Sequence, residues 1–418
     1  MKYIKVLLSG ALWNVVGGFI NKSSMMLIFI YIANTLGTTK YGMFSIIQSN
    51  VMLFGTFAGL GLGQTAIKLI SEQSNIKSSK DVASKVIYVF LSSYIIMSVI
   101  VGCLAEKIIG LYNLEVDYVY LIYWAIPLMF FITNQSIMGS ILIGLKNFKL
   151  NSIIQATPGI SFIVLLLTFD EFRTINDLLF MWTSSYVLSL LLFLFYYVRV
   201  GIENNSVFER ISFKTIFSIC IPITLSSLIV VPVNWYVNII LAGLDNGIEE
   251  IGLFNAANQW RNIIMFLPMM LSPVMLTHFN NKHVGDKYYK LKVNLIINGS
   301  VSFFIVVLLS FSNSIFSYIY SDGYSNIHEL VMLIGISTAL IVINTCMGQF
   351  LIHINKVKKG LLFNTIWAVI YVFLIFTFKK HGAIGVGYAL AGSYIIHTIV
   401  QFSYVYYLYY KEYRLNLC

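Results

Sequence analysis

Charge is what this sequence has least of. Only 11% of its residues are Asp, Glu, Lys or Arg, while 58% are hydrophobic. A soluble domain carries about 25% charged residues, so a water-facing surface cannot be built from this chain. Lipid as the solvent explains the deficit, because lipid-facing positions must be apolar. Cysteine is also scarce. Cys103, Cys220 and Cys346 lie inside apolar segments and Cys418 is the last residue. No pair has metal-ligand spacing and no disulfide framework is suggested, which leaves small packing residues as the reading. There is no Walker sequence, no metal-binding histidine pair and no nucleophile elbow, so ATPase and hydrolase chemistry have no support and no cofactor is implied. The net charge of +10 does not indicate nucleic acid, since no basic patch on a soluble module accompanies it.

What is present is a series of apolar runs. At roughly 20 residues per crossing, candidate spans fall at 10–34, 41–68, 86–105, 118–145, 152–169 and 178–199. Six more fall at 215–241, 253–277, 293–318, 328–352, 361–379 and 384–409. The chain therefore reads as an all-α membrane protein of about twelve transmembrane helices. The apolar stretch after Lys2 and Lys5 runs on to about Leu36, which predicts an uncleaved first helix rather than a signal peptide. With the N-terminus in the cytoplasm, 19 of the 27 lysines and arginines fall on the cytoplasmic side and 5 on the other. That asymmetry predicts both termini inside. The 27 tyrosines and 31 phenylalanines suit aromatic belts at the two interfaces.

The sequence also echoes itself. Gly37, Gly42 and Phe44 match Gly247, Gly252 and Phe254 at an offset of 210, each set in a short external turn entering an even-numbered helix. Met138-Gly139 with Leu142 echoes Met347-Gly348 with Leu351, and Lys146/Lys149 matches Lys356/Lys359. Six spans per half predict an N-terminal lobe over 1–200, a cytoplasmic linker over 201–214 and a C-terminal lobe over 215–418. An axis along the membrane normal would relate two such repeats.

These residues resemble the polysaccharide transporter branch of the multidrug/oligosaccharidyl-lipid/polysaccharide exporter superfamily, the branch of the Wzx-type O-antigen flippases. Leu36-Gly37 through Tyr41-Gly42-Met43-Phe44 resembles the start of that family's second helix. Gly59 to Gly63, then Lys68 and Ser71, resembles its glycine-rich exit. Gly252-Leu253-Phe254-Asn255-Ala256-Ala257, on through Pro268 and Pro273, resembles the eighth helix. The resemblance covers essentially the whole chain. One departure is that many relatives carry an acidic residue near Gly59, and this chain has none there. The resemblance implies two six-helix lobes forming a V around a central cavity. It implies export of an undecaprenyl-pyrophosphate-linked oligosaccharide, such as an O-antigen or similar surface repeat unit, across the bacterial inner membrane by alternating access. Its implied partners are that lipid-linked glycan, membrane lipid, and a polysaccharide polymerase or glycosyltransferase.

The few charges inside spans are the candidate site. Lys22 lies near the middle of the first span, beside a face carrying Asn14, Gly18, Asn21 and Met25. A charge there costs about 2.5 to 3.5 kcal/mol on insertion scales and usually faces a cavity or a partner. It reads as a cation meeting a phosphate, or as a structural hydrogen bond to a neighbouring helix. Arg261 lies in the eighth span among Asn255, Asn258, Gln259 and Asn262. Its guanidinium suits phosphate recognition, and a structural pair or snorkelling to the interface is the alternative. Lys68 near a helix end reads as snorkelling. Asn234 and Asn238 follow Pro232 on the seventh span, which Pro222 and Pro232 are expected to bend. Gln48, Gln64, Asn134, Gln135 and Gln349 read as inter-helix glue, and the lone His397 as a satisfied packing residue.

All 17 acidic residues fall in predicted loops or near span ends. Ion-coupled antiporters usually hold an intramembrane carboxylate, so a cation-coupled multidrug exporter of the same fold is the weaker reading. A membrane glycosyltransferase or polymerase should show a large external loop with catalytic acids or arginines, and the external loops are short. A passive scaffold fits poorly with cations placed mid-helix.

Overall fold

The computed structural model describes residues 2–73, 76–169, 174–199, 211–227, 229–266, 268, 284–354 and 356–415. Among them every regular element is helical. Among the described residues eight stretches are long and apolar enough to cross a bilayer. Two of these, Leu12–Ser71 and Lys358–Glu412, run to 60 and 55 residues, enough for two crossings each. With the shorter helices over 213–242 and 247–266, the architecture is an all-α membrane protein of about twelve spans.

Contacts gather the chain into two compact units: Met1–Leu36 with Met43–Ile239, and Gly37–Gly42 with Ile240–Cys418. The first holds most of α1 (Lys2–Gly59), then α2 (Leu62–Ser71), α3 (Ile76–Leu111), α4 (Val119–Gly144), α5 (Phe148–Thr168), α6 (Ile175–Ser185), α7 (Val187–Arg199), α8 (Phe213–Ser227) and most of α9 (Val230–Ala242). The second holds α10 (Gly247–Asn258), α11 (Val284–Ser310), α12 (Asn313–Ile319), α13 (Ile327–His353), α14 (Val357–Phe378) and α15 (Gly382–Leu415). The segment that the sequence assigns to the seventh span therefore packs largely with the first unit. Most of the expected linker, 201–210, and the end of the eighth span with Pro273 lie outside the described residues.

Close approach of backbones, not apolar burial alone, builds the first unit. In lipid the hydrophobic effect does not drive helices together, so small residues and polar contacts do. Gly17 lies against Ser152, Gly159 against Ser24, and Gly144 against Ile70, each too closely for a methyl group. Phe29, Phe44 and Trp182 form an aromatic triangle with centroids 5.4–5.9 Å apart. In the second unit Trp367 stacks on Tyr371 at 5.4 Å and lies 5.0 Å from Tyr394. The outward positions are apolar, with Leu27, Ile95, Phe180, Phe303 and Phe373 all exposed, as lipid-facing residues are.

Three spans are interrupted among the described residues, two where the sequence predicts continuity and the third where its prolines predict a bend. The span over 41–68 breaks at Leu60 and Gly61, both at positive φ (43° and 61°), and Ile223 of α8 fills the space a Cβ at Gly61 would need. The span over 178–199 breaks at Tyr186. The span over 215–241 divides between Ser227 and Val230. Pro232 lacks the N–H that would bond back four residues, and its ring crowds that carbonyl, so the break falls just before it. Pro158, in contrast, is accommodated within α5.

Candidate functional site

Lys22 sits half-buried in the first stretch of α1. The neighbouring face packs on α5: Asn151 Nδ2 donates to Asn14 Oδ1 at 2.8 Å, and Gly159 lies against Ser24 and the Asn21 carbonyl. Asn14 is thus engaged between helices. Asn21 Oδ1 is buried with no hydrogen-bond partner among the described residues. Lys22 projects about 100° around the helix from Asn21. Lys68 is exposed in the last turn of α2, where its stem can follow the helix to the interface.

Arg261 follows a break in its helix at Gln259 and Trp260, after which 261–266 resume helical geometry. Trp260 fixes that break, because its Nε1 donates to Tyr320 Oη at 3.0 Å and its ring packs edge-on to Phe316 at 4.7 Å. Arg261 is half-buried, and its Nε, like Asn258 Oδ1, is buried without a hydrogen-bond partner among the described residues. Asn255 donates to the Ile251 carbonyl at 2.9 Å, and Asn262 is exposed. The continuous polar face expected here is therefore divided by the break.

Asn238 is buried and Asn234 half-buried on α9. Between them, Trp235 Nε1 donates to Asn50 Oδ1 at 3.1 Å. Asn50 Nδ2 in turn donates to the Ile46 carbonyl at 2.8 Å and to Tyr112 Oη at 3.2 Å. Burial pushes the Tyr112 phenol up to about 12, against the opposing pull of its hydrogen bonds to Ser49, Asn50 and Trp235. It stays neutral at physiological pH. This network, which the sequence reading missed, ties α9 to α1 and to the end of α3.

The carboxylates have structural work at helix ends. Asp81 pairs with Lys85 at 2.7 Å and accepts from the Ile211 amide at 3.3 Å. Asp177 completes a capping box with Thr174 at the start of α6. Glu250 accepts from the Ala383 amide at 2.6 Å at the start of α15. Glu329 accepts from Tyr388 Oη at 2.7 Å, and Glu412 pairs with Lys287 at 2.8 Å. No described acidic residue lies more than two turns inside a long span.

His397 differs from expectation. It is 5% exposed, yet neither ring nitrogen has a hydrogen-bond partner among the described residues. A second feature went unread: a cavity of about 220 Å³ within the second unit. Asn294 and Asn298 of α11 and Thr345, Cys346 and Gln349 of α13 supply its polar lining. The signal was in the sequence, since Asn294, Asn298 and Ser302 recur every fourth residue and are all buried, a stripe on one helix face.

A family model described as polysaccharide biosynthesis protein matches residues 7–277. The EPS I polysaccharide export inner membrane protein EpsE of Ralstonia nicotianae is 22% identical over 199 residues, 46% of this chain and 45% of that protein. Its Ralstonia solanacearum counterpart is 22% identical over 188 residues, 43% of each. The chain thus matches under half the length of these curated relatives. Among solved structures, the lipid II flippase MurJ in an inward closed conformation aligns with a TM-score of 0.73 at 18% identity, over 96% of this chain and 87% of that one. The MATE multidrug transporter DinF-BH aligns with a TM-score of 0.71 at 16% identity, over 96% and 95%. At these identities the likeness is one of fold.

Proposed function

The chain belongs to the polysaccharide biosynthesis protein family, and from that premise we propose that it is a transporter, not an enzyme, that carries a lipid-linked glycan across the bacterial inner membrane. The substrate class is an undecaprenyl-pyrophosphate-linked oligosaccharide, an O-antigen or similar surface repeat unit. The observation that carries this reading is the sign of the charge inside the spans. The sequence places Lys22 and Arg261 inside predicted spans and no acidic residue deep in one, and the described carboxylates stay within two turns of helix ends. An intramembrane charge is costly and marks a substrate path or a pairing site. Cations without deep acids suit an anionic cargo.

The physical task is to move sugars and a pyrophosphate through hydrocarbon while the prenyl tail stays in lipid. Lys22 and Arg261 are the residues proposed to meet the pyrophosphate, with Asn14, Asn21, Asn234, Asn238, Asn255, Asn258 and Asn262 as polar positions along the path and Lys68 near its cytoplasmic end. Alternating access would be served by the interrupted helices, which have places to bend. The names of the curated relatives, both polysaccharide export inner membrane proteins, and of the lipid II flippase support this cargo. The fold is nearly as close to that of a multidrug transporter, with a TM-score of 0.71 against 0.73. An ion-coupled drug exporter is the weaker reading, because such coupling usually uses a deep carboxylate.

The test is reconstitution of the full chain in vesicles. Undecaprenyl pyrophosphate carrying a short glycan should become accessible in the opposite leaflet at a rate that depends on the protein. Transport of a cationic dye with no transfer of the lipid-linked glycan would replace this function with drug export.

A further inference from the structure

The cavity in the second unit carries an inference that rests on the transport reading and goes beyond it. Asn294 and Asn298 are 0% and 1% exposed. They hydrogen-bond to one another, and Cys346 Sγ donates to Asn294 Oδ1 at 3.6 Å. Asn294 Nδ2 and Asn298 Oδ1 nevertheless find no hydrogen-bond partner among the described residues. A buried unpaired amide group costs about 1–3 kcal/mol, so a donor and an acceptor left over together at one wall call for a ligand that is both. Among the described residues the lining holds no charged side chain, and Met265, Pro268 and Val342 supply apolar surface. About 220 Å³ corresponds to the liquid volume of about seven waters at ~30 Å³ each, which is room for one ring sugar.

A phosphate does not belong in such a neutral chamber. A sugar does, since each hydroxyl donates and accepts and the ring presents C–H groups to an apolar wall. Residues 261–266 are helical, so Arg261 and Met265 lie on one face, about 6 Å apart along the axis. The wall of the chamber is one turn from the cation assigned to the pyrophosphate. We propose that this chamber is a subsite for the uncharged sugar bonded directly to the pyrophosphate, held by Asn294, Asn298 and Thr345.

Cys346 lines the chamber, so the rate of its modification reports on occupancy with no new side chain introduced. The full chain with Cys103→Ala, Cys220→Ala and Cys418→Ala is placed in lipid nanodiscs and treated with methyl methanethiosulfonate. Bare undecaprenyl pyrophosphate is compared with the same lipid carrying glucose, galactose or N-acetylglucosamine. At least one sugar-bearing lipid should slow modification of Cys346 by about fivefold relative to the bare lipid and bind about tenfold more tightly, the equivalent of one well-made polar contact. Asn298→Leu, or the milder Thr345→Val, should collapse the ratio of the two affinities toward one; a misfolded variant would lose binding of both. If all the lipids bind but protect Cys346 equally, the sugar subsite is wrong and the transport reading stands. If none binds, the transport reading falls and the subsite with it.

Discussion

Thr39 Oγ1 donates a 3.0 Å hydrogen bond to Glu249 Oε1, the residue 210 positions along the chain. The same offset governs the contacts around it. Gly42 lies against the Ile248 carbonyl, and Gly252 lies against the Thr38 carbonyl, so each turn does to the other what the other does to it. A reciprocal contact of this kind is the mark of a local two-fold relation. It gives the Gly42 and Gly252 pair of the glycine echo a physical cause, because neither position has space for a side chain. All of these residues belong to the second compact unit.

Gly42→Ala and Gly252→Ala should therefore have similar effects. A methyl group at either position overlaps a backbone carbonyl, and overpacking of this type costs about 1–3 kcal/mol. Each variant should melt several degrees lower than the parent in detergent. Since both substitutions part the same pair of turns, the double variant should lose less than the sum of the singles. Strict additivity would show that the two contacts are independent.

Asn50 occupies the centre of a second network and should be harder to replace than its partners. Asn50→Leu leaves the Trp235 Nε1 donor and the Tyr112 hydroxyl without this amide, and unsatisfied buried groups cost about 1–3 kcal/mol each. Tyr112→Phe removes one hydroxyl and should cost about 1 kcal/mol. Melting curves of the two purified variants compare them directly. A Tyr112→Phe loss as large as that of Asn50→Leu would contradict the central role given to the amide.

How much of this was legible follows from what one-dimensional pattern can encode. Spans were legible because their length and composition answer to the bilayer. The turn at Gly37, with φ 73°, was legible because glycine is the residue that adopts it freely. The breaks at Leu60–Gly61 and Tyr186 were not, since an interruption inside an apolar run leaves hydropathy unchanged. Lys22 and Arg261 stood out as charges against lipid. The buried asparagines did not: Asn50 and Asn298 look alike in sequence, and only tertiary neighbours separate one bound to Trp235 from one facing a chamber.

The charge asymmetry between loops predicts that both termini are cytoplasmic, and two exposed positions in the second unit test it. Tyr289 and Ser325 lie at opposite ends of the stretch formed by α11 and α12. In a cysteine-free background and intact cells, Ser325→Cys should react with a membrane-impermeant maleimide, while Tyr289→Cys should react only after the membrane is opened. The reverse pattern would invert the topology and move the lysines around 287–292 to the outer face.

The intramembrane cations carry the largest functional expectation. A pyrophosphate brings two or more negative charges, and in a site of low dielectric an ion pair is stronger than in water. Binding must remain loose enough for release, so two cations are sufficient and a dense cluster would trap the cargo. Lys22→Gln and Arg261→Gln should each reduce surface glycan sharply, by about tenfold or more if each removes one charge-assisted contact of 1.5–3 kcal/mol, with protein level in the membrane unchanged. Lys22→Arg should restore much of the activity that Lys22→Gln loses, because position 22 is asked for charge. Arg261→Lys should restore less, because an ammonium does not reproduce the planar fork of donors that a guanidinium offers a phosphate. Neutralising a helix-end acid such as Glu329→Gln should leave most export intact, since its partner is the exposed Tyr388 hydroxyl. Full surface glycan in the Lys22→Gln, Arg261→Gln double variant would reduce both residues to structural contacts and remove the electrostatic basis of the transport reading.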